Sequence, residues 1–110
     1  MTDFVKAFNE EAERNFKVAK EHGWWDGNIN VGMKVALMHS ELSEALEALR
    51  RGNPADSHIP GFSSLEAELA DVMIRVMDYG VYHNLRLAEA IQAKREYNAT
   101  RSFKHGGKLF

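Results

Sequence analysis

Apolar residues along this chain recur at three- and four-residue intervals, and the β-branched alternation of strands is hard to find, so the pattern predicts helices. Phe4, Phe8, Ala12, Phe16 and Ala19 form one stripe of a first helix, from about Thr2 or Asp3 to Glu21. The Gly- and Asx-rich stretch HGWWDGNIN breaks it. A second helix starts near Asn30 as cap and runs to Arg51, where Gly52 supplies a left-handed stop with Pro54 just beyond. The third opens at SSLEAE, in which Ser63 and Glu66 have capping-box spacing, and carries Leu65, Leu69, Val72, Val76 and Tyr79 on one face. Gly80 and the pair His83-Asn84 predict a bend or short turn before a fourth helix over roughly 85–99. The tail TRSFKHGGKLF has no helical period, and residues 100–110 are expected to form a mobile or substrate-covering end. The fold class is therefore all-α, a four-helix bundle in one domain spanning 1–110.

Two acidic pairs interrupt this pattern in the same way. Glu41 and Glu44 stand three apart in SELSEAL, and Glu68 and Asp71 repeat the spacing in AELADVM. With Leu42 as the centre of the second helix's apolar face, Val35, Met38, Leu46 and Leu49 fall within about 40° of it. Glu41 and Glu44 then lie about 100° and 160° to one side. About Leu69 on the third helix, Glu68 and Asp71 take the same two angles, about 100° and 160°, on the same side. Either pair alone is what a solvated helix face carries. Matched on successive helices, the two ridges converge if the helices pack as antiparallel neighbours. Lys34 and Arg75 are the only basic residues near those strips, so converging carboxylates would repel and raise one another's pKa. A divalent cation resolves this, and all-oxygen ligands favour Mg²⁺ or Mn²⁺ over zinc.

Composition narrows the field. With 14 basic and 16 acidic residues, no strong field favours a nucleic-acid polymer or an anionic membrane. No apolar run approaches the ~20 residues of a membrane span. The segment MTDFVKAFNEEAERNF lacks a basic flank followed by an apolar stretch and does not read as a signal peptide, so a cytoplasmic location is expected. The absence of cysteine removes disulfides, zinc–thiolate sites and thiol nucleophiles. The five histidines show no metal-binding spacing, Ser40 and Ser43 have no evident base partner, and no phosphate-binding P-loop is present. His39, beside the apolar face, is expected in the core or an interface.

HSELSEALEALRRG followed by ELADVMIRVMDYG resembles the MazG-type all-α nucleoside triphosphate pyrophosphatases, whose signature is E-x-x-E followed at a distance by E-x-x-D. The likeness extends through KREYNATRSFKHGGKLF and back to WWDGNINVGMKVALM, covering about residues 23–110. Ser40 stands where the fuller signature has a second glutamate, which leaves four acidic positions. The resemblance implies Mg²⁺-dependent hydrolysis of a (deoxy)nucleoside triphosphate to monophosphate and pyrophosphate, of the pool-cleansing type. It also implies Glu41, Glu44, Glu68 and Asp71 as metal ligands and catalytic groups, and a homodimer, sometimes paired into a homotetramer. A small four-helix core is itself easier to complete with a second copy.

Candidate substrate contacts surround this set. Lys94, Asn98 and Arg101 follow i, i+4, i+7 spacing at the end of the fourth helix, where a cation suits phosphates. In the resembled family, matching Lys and Asn positions help hold the substrate. Lys34 lies two turns before Glu41 on the same strip, and a ring of the Trp24-Trp25 pair, with Trp25 the choice, can stack on a base. On the same fold, dUTP/dUDP or phosphoribosyl-ATP are alternative substrates. A non-catalytic helical module with acidic ridges is the alternative of a different class.

Overall fold

The computed structural model describes residues 1–110 and is all-helical, without strands. Four long helices run α1 Asp3–Glu21, α2 Val31–Arg50, α3 Ser64–Tyr82 and α4 Leu87–Ala99, followed by a single turn, α5 Lys104–Gly107. The turn is not regular helix, because Lys104, His105, Gly106 and Gly107 all have positive φ. No helix is long and apolar enough to cross a membrane.

The helix starts follow local chemistry. Thr2 caps α1 through the Val5 amide, and Asn30 caps α2 by accepting from the Met33 amide at 2.9 Å. Ser63 and Glu66 close a reciprocal capping box on α3. Past the end of α2, Gly52 and Asn53 turn left-handed at φ 84° and 51°. The loop that follows is braced. Asn53 Oδ1 accepts from the Leu65 amide at 2.8 Å, and the Asp56 carboxylate accepts from the His58 and Ile59 amides.

Gly80 does not bend the chain as expected. α3 continues through it to Tyr82, and the stop comes at Asn84, at φ 55°. Gly80 instead allows close approach, since a Cβ there would lie 2.5 Å from Leu87 Cδ1 at the start of α4.

α3 is the central element, packed against both α2 and α1, while α4 leans mainly on α1. The face by which α2 and α3 pack differs from the Leu-centred expectation. On α2 the buried residues are Glu41, Ala45 and Ala48, and on α3 they are Ser64, Asp78 and Gly80. Leu42, Leu46, Leu49, Leu69 and Met73 remain 43–52% exposed. His39 is likewise exposed, not in the core. On α2 the interior thus lies about 90° around the helix from the leucine stripe, whereas on α3 the buried positions are spread around the helix, which packs on both α1 and α2. The interior is built from alanines and acidic groups, and no large side chain is fully buried.

The dimensions agree with this arrangement. The radius of gyration is 16.4 Å, against about 13 Å for a compact domain of this length. The accessible surface is 8254 Å², some 2,000 Å² above the ~6,200 Å² expected of a folded monomer of this mass.

Candidate metal centre and adjoining cleft

α2 and α3 run antiparallel, so Glu68 near the start of α3 meets Glu41 and Glu44. One carboxylate oxygen from each of the three lies within 4.8 Å of the others. The i, i+3 spacing makes this possible, because it turns both acids of a pair toward the neighbouring helix. Glu66 is not available to the cluster, being held in the capping box.

The electrostatics are those of crowded acids. Burial, then the neighbouring Glu44 and Glu41, pushes the Glu68 carboxyl up to about 7, and its Oε2 has no hydrogen-bond partner. Glu41 is only 7% exposed and accepts from Arg75, with Nε 2.8 Å and Nη2 2.7 Å from its Oε1. Arg75 is the one cation paired with the cluster. An orphaned carboxylate oxygen beside two further acids is a donor set that fits a hard divalent cation.

Asp71 sits at the edge of this group. It lies outside the three-acid set but lines, with Glu41, a cleft of about 280 Å³ whose other walls include Asn15, Trp24, Ile74, Arg75 and Asp78. Burial and the charges of Glu41 and Glu44 raise its carboxyl, opposed by Arg75. A second cleft of about 260 Å³ between α1, α3 and the α3–α4 turn has Glu13 as its single ionisable wall and gathers no polar cluster.

The remaining expected contacts lie elsewhere. Trp25 stacks on Tyr82 at 4.4 Å and tilts against Phe16 at 6.0 Å, so its ring is engaged in packing. Lys34 Nζ donates to the Trp24 carbonyl and sits 4.4 Å from the Trp25 ring centre, bracing the same loop. Lys94 and Arg101 flank the Tyr97 ring at 5.0 and 5.6 Å, and neither they nor Asn98 line the carboxylate cleft. Within one chain the structure brings together Glu41, Glu44 and Glu68, with Asp71 beside Glu41 on the cleft, but not the end of α4.

Trp24, the tryptophan of the pair that was not chosen, lines the cleft, and so do three polar residues with no role assigned from the sequence: Asn15, Arg75 and Asp78. For two of them a signal was present, since Glu68, Asp71, Arg75 and Asp78 step by three, four and three along one face of α3. Comparison with protein-family models, with curated proteins and with solved structures finds no match for this chain.

Proposed function

We propose that the protein is a Mg²⁺-dependent, MazG-like nucleoside triphosphate pyrophosphohydrolase, acting in the cytoplasm as a homo-oligomer on a (deoxy)nucleoside triphosphate. The observation that carries the reading is the meeting of Glu41, Glu44 and Glu68 within 4.8 Å, with Asp71 beside them on a shared cleft. The E-x-x-E and E-x-x-D signature supports it from the sequence side.

Glu41, Glu44, Glu68 and Asp71 would hold Mg²⁺, with Mn²⁺ as substitute, and the bound cation supplies charge neutralisation for the triphosphate oxygens. The chain's own residues provide the rest. Whichever of the four carboxylates is not fully used in holding the cation would take the proton from attacking water. Arg75, at the border of cluster and cleft, orients Glu41 and offers its remaining N–H donors to a phosphate oxygen. Trp24 walls the cleft and limits water on that side.

A second copy fits the exposed leucine stripes of α2 and α3. The excess surface of some 2,000 Å² per chain matches what an obligate dimer buries. The end of α4, remote from the cluster of its own chain, is then free to serve a neighbouring one.

The test is purified protein with Mg²⁺ and a panel of canonical and damaged nucleoside triphosphates. Pyrophosphate, not orthophosphate, is the expected product. A panel left wholly intact refutes the reading.

A further inference from the structure

The polar strip of α3 continues past the carboxylate cluster to Asp78. This residue is 7% exposed, lines the same cleft as Glu41 and Asp71, and its Oδ1 has no hydrogen-bond partner. Its natural counter-ion, Arg75, is already bound to Glu41. Burial raises the Asp78 carboxyl to about 6, with Arg75 and Lys34 opposing, so it is ionised above neutral pH. A buried carboxylate oxygen without a donor is costly to keep. A cleft ligand that brings N–H or O–H groups to this carboxylate would relieve that cost.

The spacing says which part of a nucleotide does so. Asp78 lies seven residues beyond Asp71 on the same face, a rise of about 10 Å. That is comparable to the separation of an α-phosphorus from the Watson–Crick edge of its base, while the sugar hydroxyls fall short. The Trp24 ring and the Ile74 and Val18 side chains supply flat and apolar walls. Asn15, whose only side-chain partner is the Met77 sulfur at 3.4 Å, adds an amide.

Resting on the pyrophosphohydrolase reading, we propose that this cleft receives the nucleobase and that Asp78 selects guanine by accepting its N1–H and exocyclic amino group. Guanine alone among the common bases places two adjacent N–H donors on that edge. Adenine and cytosine set a ring-nitrogen lone pair beside their amino group. Uracil and thymine flank one N–H with carbonyl oxygens. Each of these turns a lone pair toward one carboxylate oxygen.

The experiment measures pyrophosphate release from guanosine, inosine, xanthosine and cytidine triphosphates, with calorimetry of the corresponding monophosphates without metal. Wild-type protein is expected to favour guanosine over inosine, which lacks the amino group, by at least ~10-fold in kcat/KM and in affinity. Asp78→Asn should invert the order of guanosine and xanthosine, because the amide accepts from N1–H and donates to the xanthine carbonyl. Equal use of guanosine, inosine and cytidine triphosphates, or an Asp78→Asn protein with the wild-type ranking, overturns the base assignment and leaves the hydrolase reading standing. If no triphosphate is cleaved, the reaction reading fails. Calorimetry then decides the cleft alone: guanosine monophosphate bound over inosine monophosphate upholds Asp78 as the selecting group, and no binding overturns it.

Discussion

The Arg75 guanidinium binds Glu41 through two nitrogens, at 2.7 and 2.8 Å from the same Oε1, and its Cζ lies 5.5 Å from the Trp24 ring. One member of the acidic cluster is thus neutralised by the chain itself. A divalent cation drawing on Glu41 competes with that pair. Arg75→Met keeps the aliphatic stem and removes the charge. Without metal it is expected to cost about 1–3 kcal/mol, because Glu41 is left buried among acids. The rise in Tm on adding Mg²⁺ should be larger than in the wild type. Calorimetric scans with and without Mg²⁺ measure both, and an unchanged Mg²⁺ response means that Arg75 and the cation do not compete.

Removing a cluster charge should separate stability from activity. Glu44→Gln and Asp71→Asn are each expected to lower pyrophosphate release by about 10²-fold or more, as for loss of a group stabilising transition-state charge. Both should keep the helical circular-dichroism spectrum. Metal-free Glu44→Gln should melt higher than the wild type, since it relieves repulsion on Glu68. A lower melting point would mean that the crowding is already compensated.

The same crowding sets a pH dependence. Glu68 titrates near 7 against an ordinary 4.5, and Asp78 near 6 against 3.8, with Asp71 raised as well. Between about pH 4 and 7 the native chain therefore holds protons that the unfolded chain has released. Their stabilisation is complete below the unfolded values and is lost as pH rises through the folded ones. Asp56 and Glu66, lowered by backbone hydrogen bonds, act oppositely and lose their contribution only in stronger acid. Metal-free Tm should fall by several degrees from pH 5.5 to 8. The drop should shrink in Glu68→Gln and be offset at pH 8 by Mg²⁺. A Tm that climbs over this range contradicts the assigned environments.

What the sequence shows well is what neighbours in the chain decide. Asn30, Ser63 with Glu66, and Gly52 delimit helices through contacts within a few residues. The convergence of the acidic pairs was legible too, because matching register on two helices is a local property of each. The inward face was not. A stripe through Leu42 and Leu46 looks the same whether it meets its own chain or another, and the structure leaves it open. The choice between Trp24 and Trp25 depends on a loop turned by Gly23 and Gly27 at φ 85° and 70°, which periodicity does not encode. The distance of Lys94 from the cluster follows from α4 leaning on α1, a tertiary fact with no sequence mark.

Two helical glycines should respond oppositely to alanine. At Gly80 a Cβ would meet Leu87 Cδ1 at 2.5 Å, whereas at Gly32 the nearest atom, Asn30 Oδ1, is 3.5 Å away. Overpacking costs about 1–3 kcal/mol, against a helix-propensity gain of about 1 kcal/mol. Gly80→Ala is therefore expected to be net destabilising by about 1 kcal/mol. Gly32→Ala is expected to stabilise by about 0.5–1 kcal/mol. Urea titrations of both variants give the signs, and a stabilised Gly80→Ala would show that Leu87 yields freely.

The exposed leucines give the sharpest test of assembly. Leu42, Leu46 and Leu49 on α2 and Leu69 on α3 stay 43–52% exposed, in a chain whose buried hydrophobic residues are alanines and Val5. An interior this small offsets little of the entropy of ordering four helices, so covering the apolar face with a second copy is expected to stabilise the fold. Sedimentation at micromolar concentration should show a dimer or larger species, with a Tm that rises with protein concentration. Leu46→Lys places a charge at the centre of the stripe and should give monomers with sharply reduced helicity. Leu109→Lys, in the exposed tail, should leave both mass and helicity unchanged. A wild-type monomer with full helicity at these concentrations would mean that the alanine and carboxylate interior is sufficient. The leucine face would then need a different explanation.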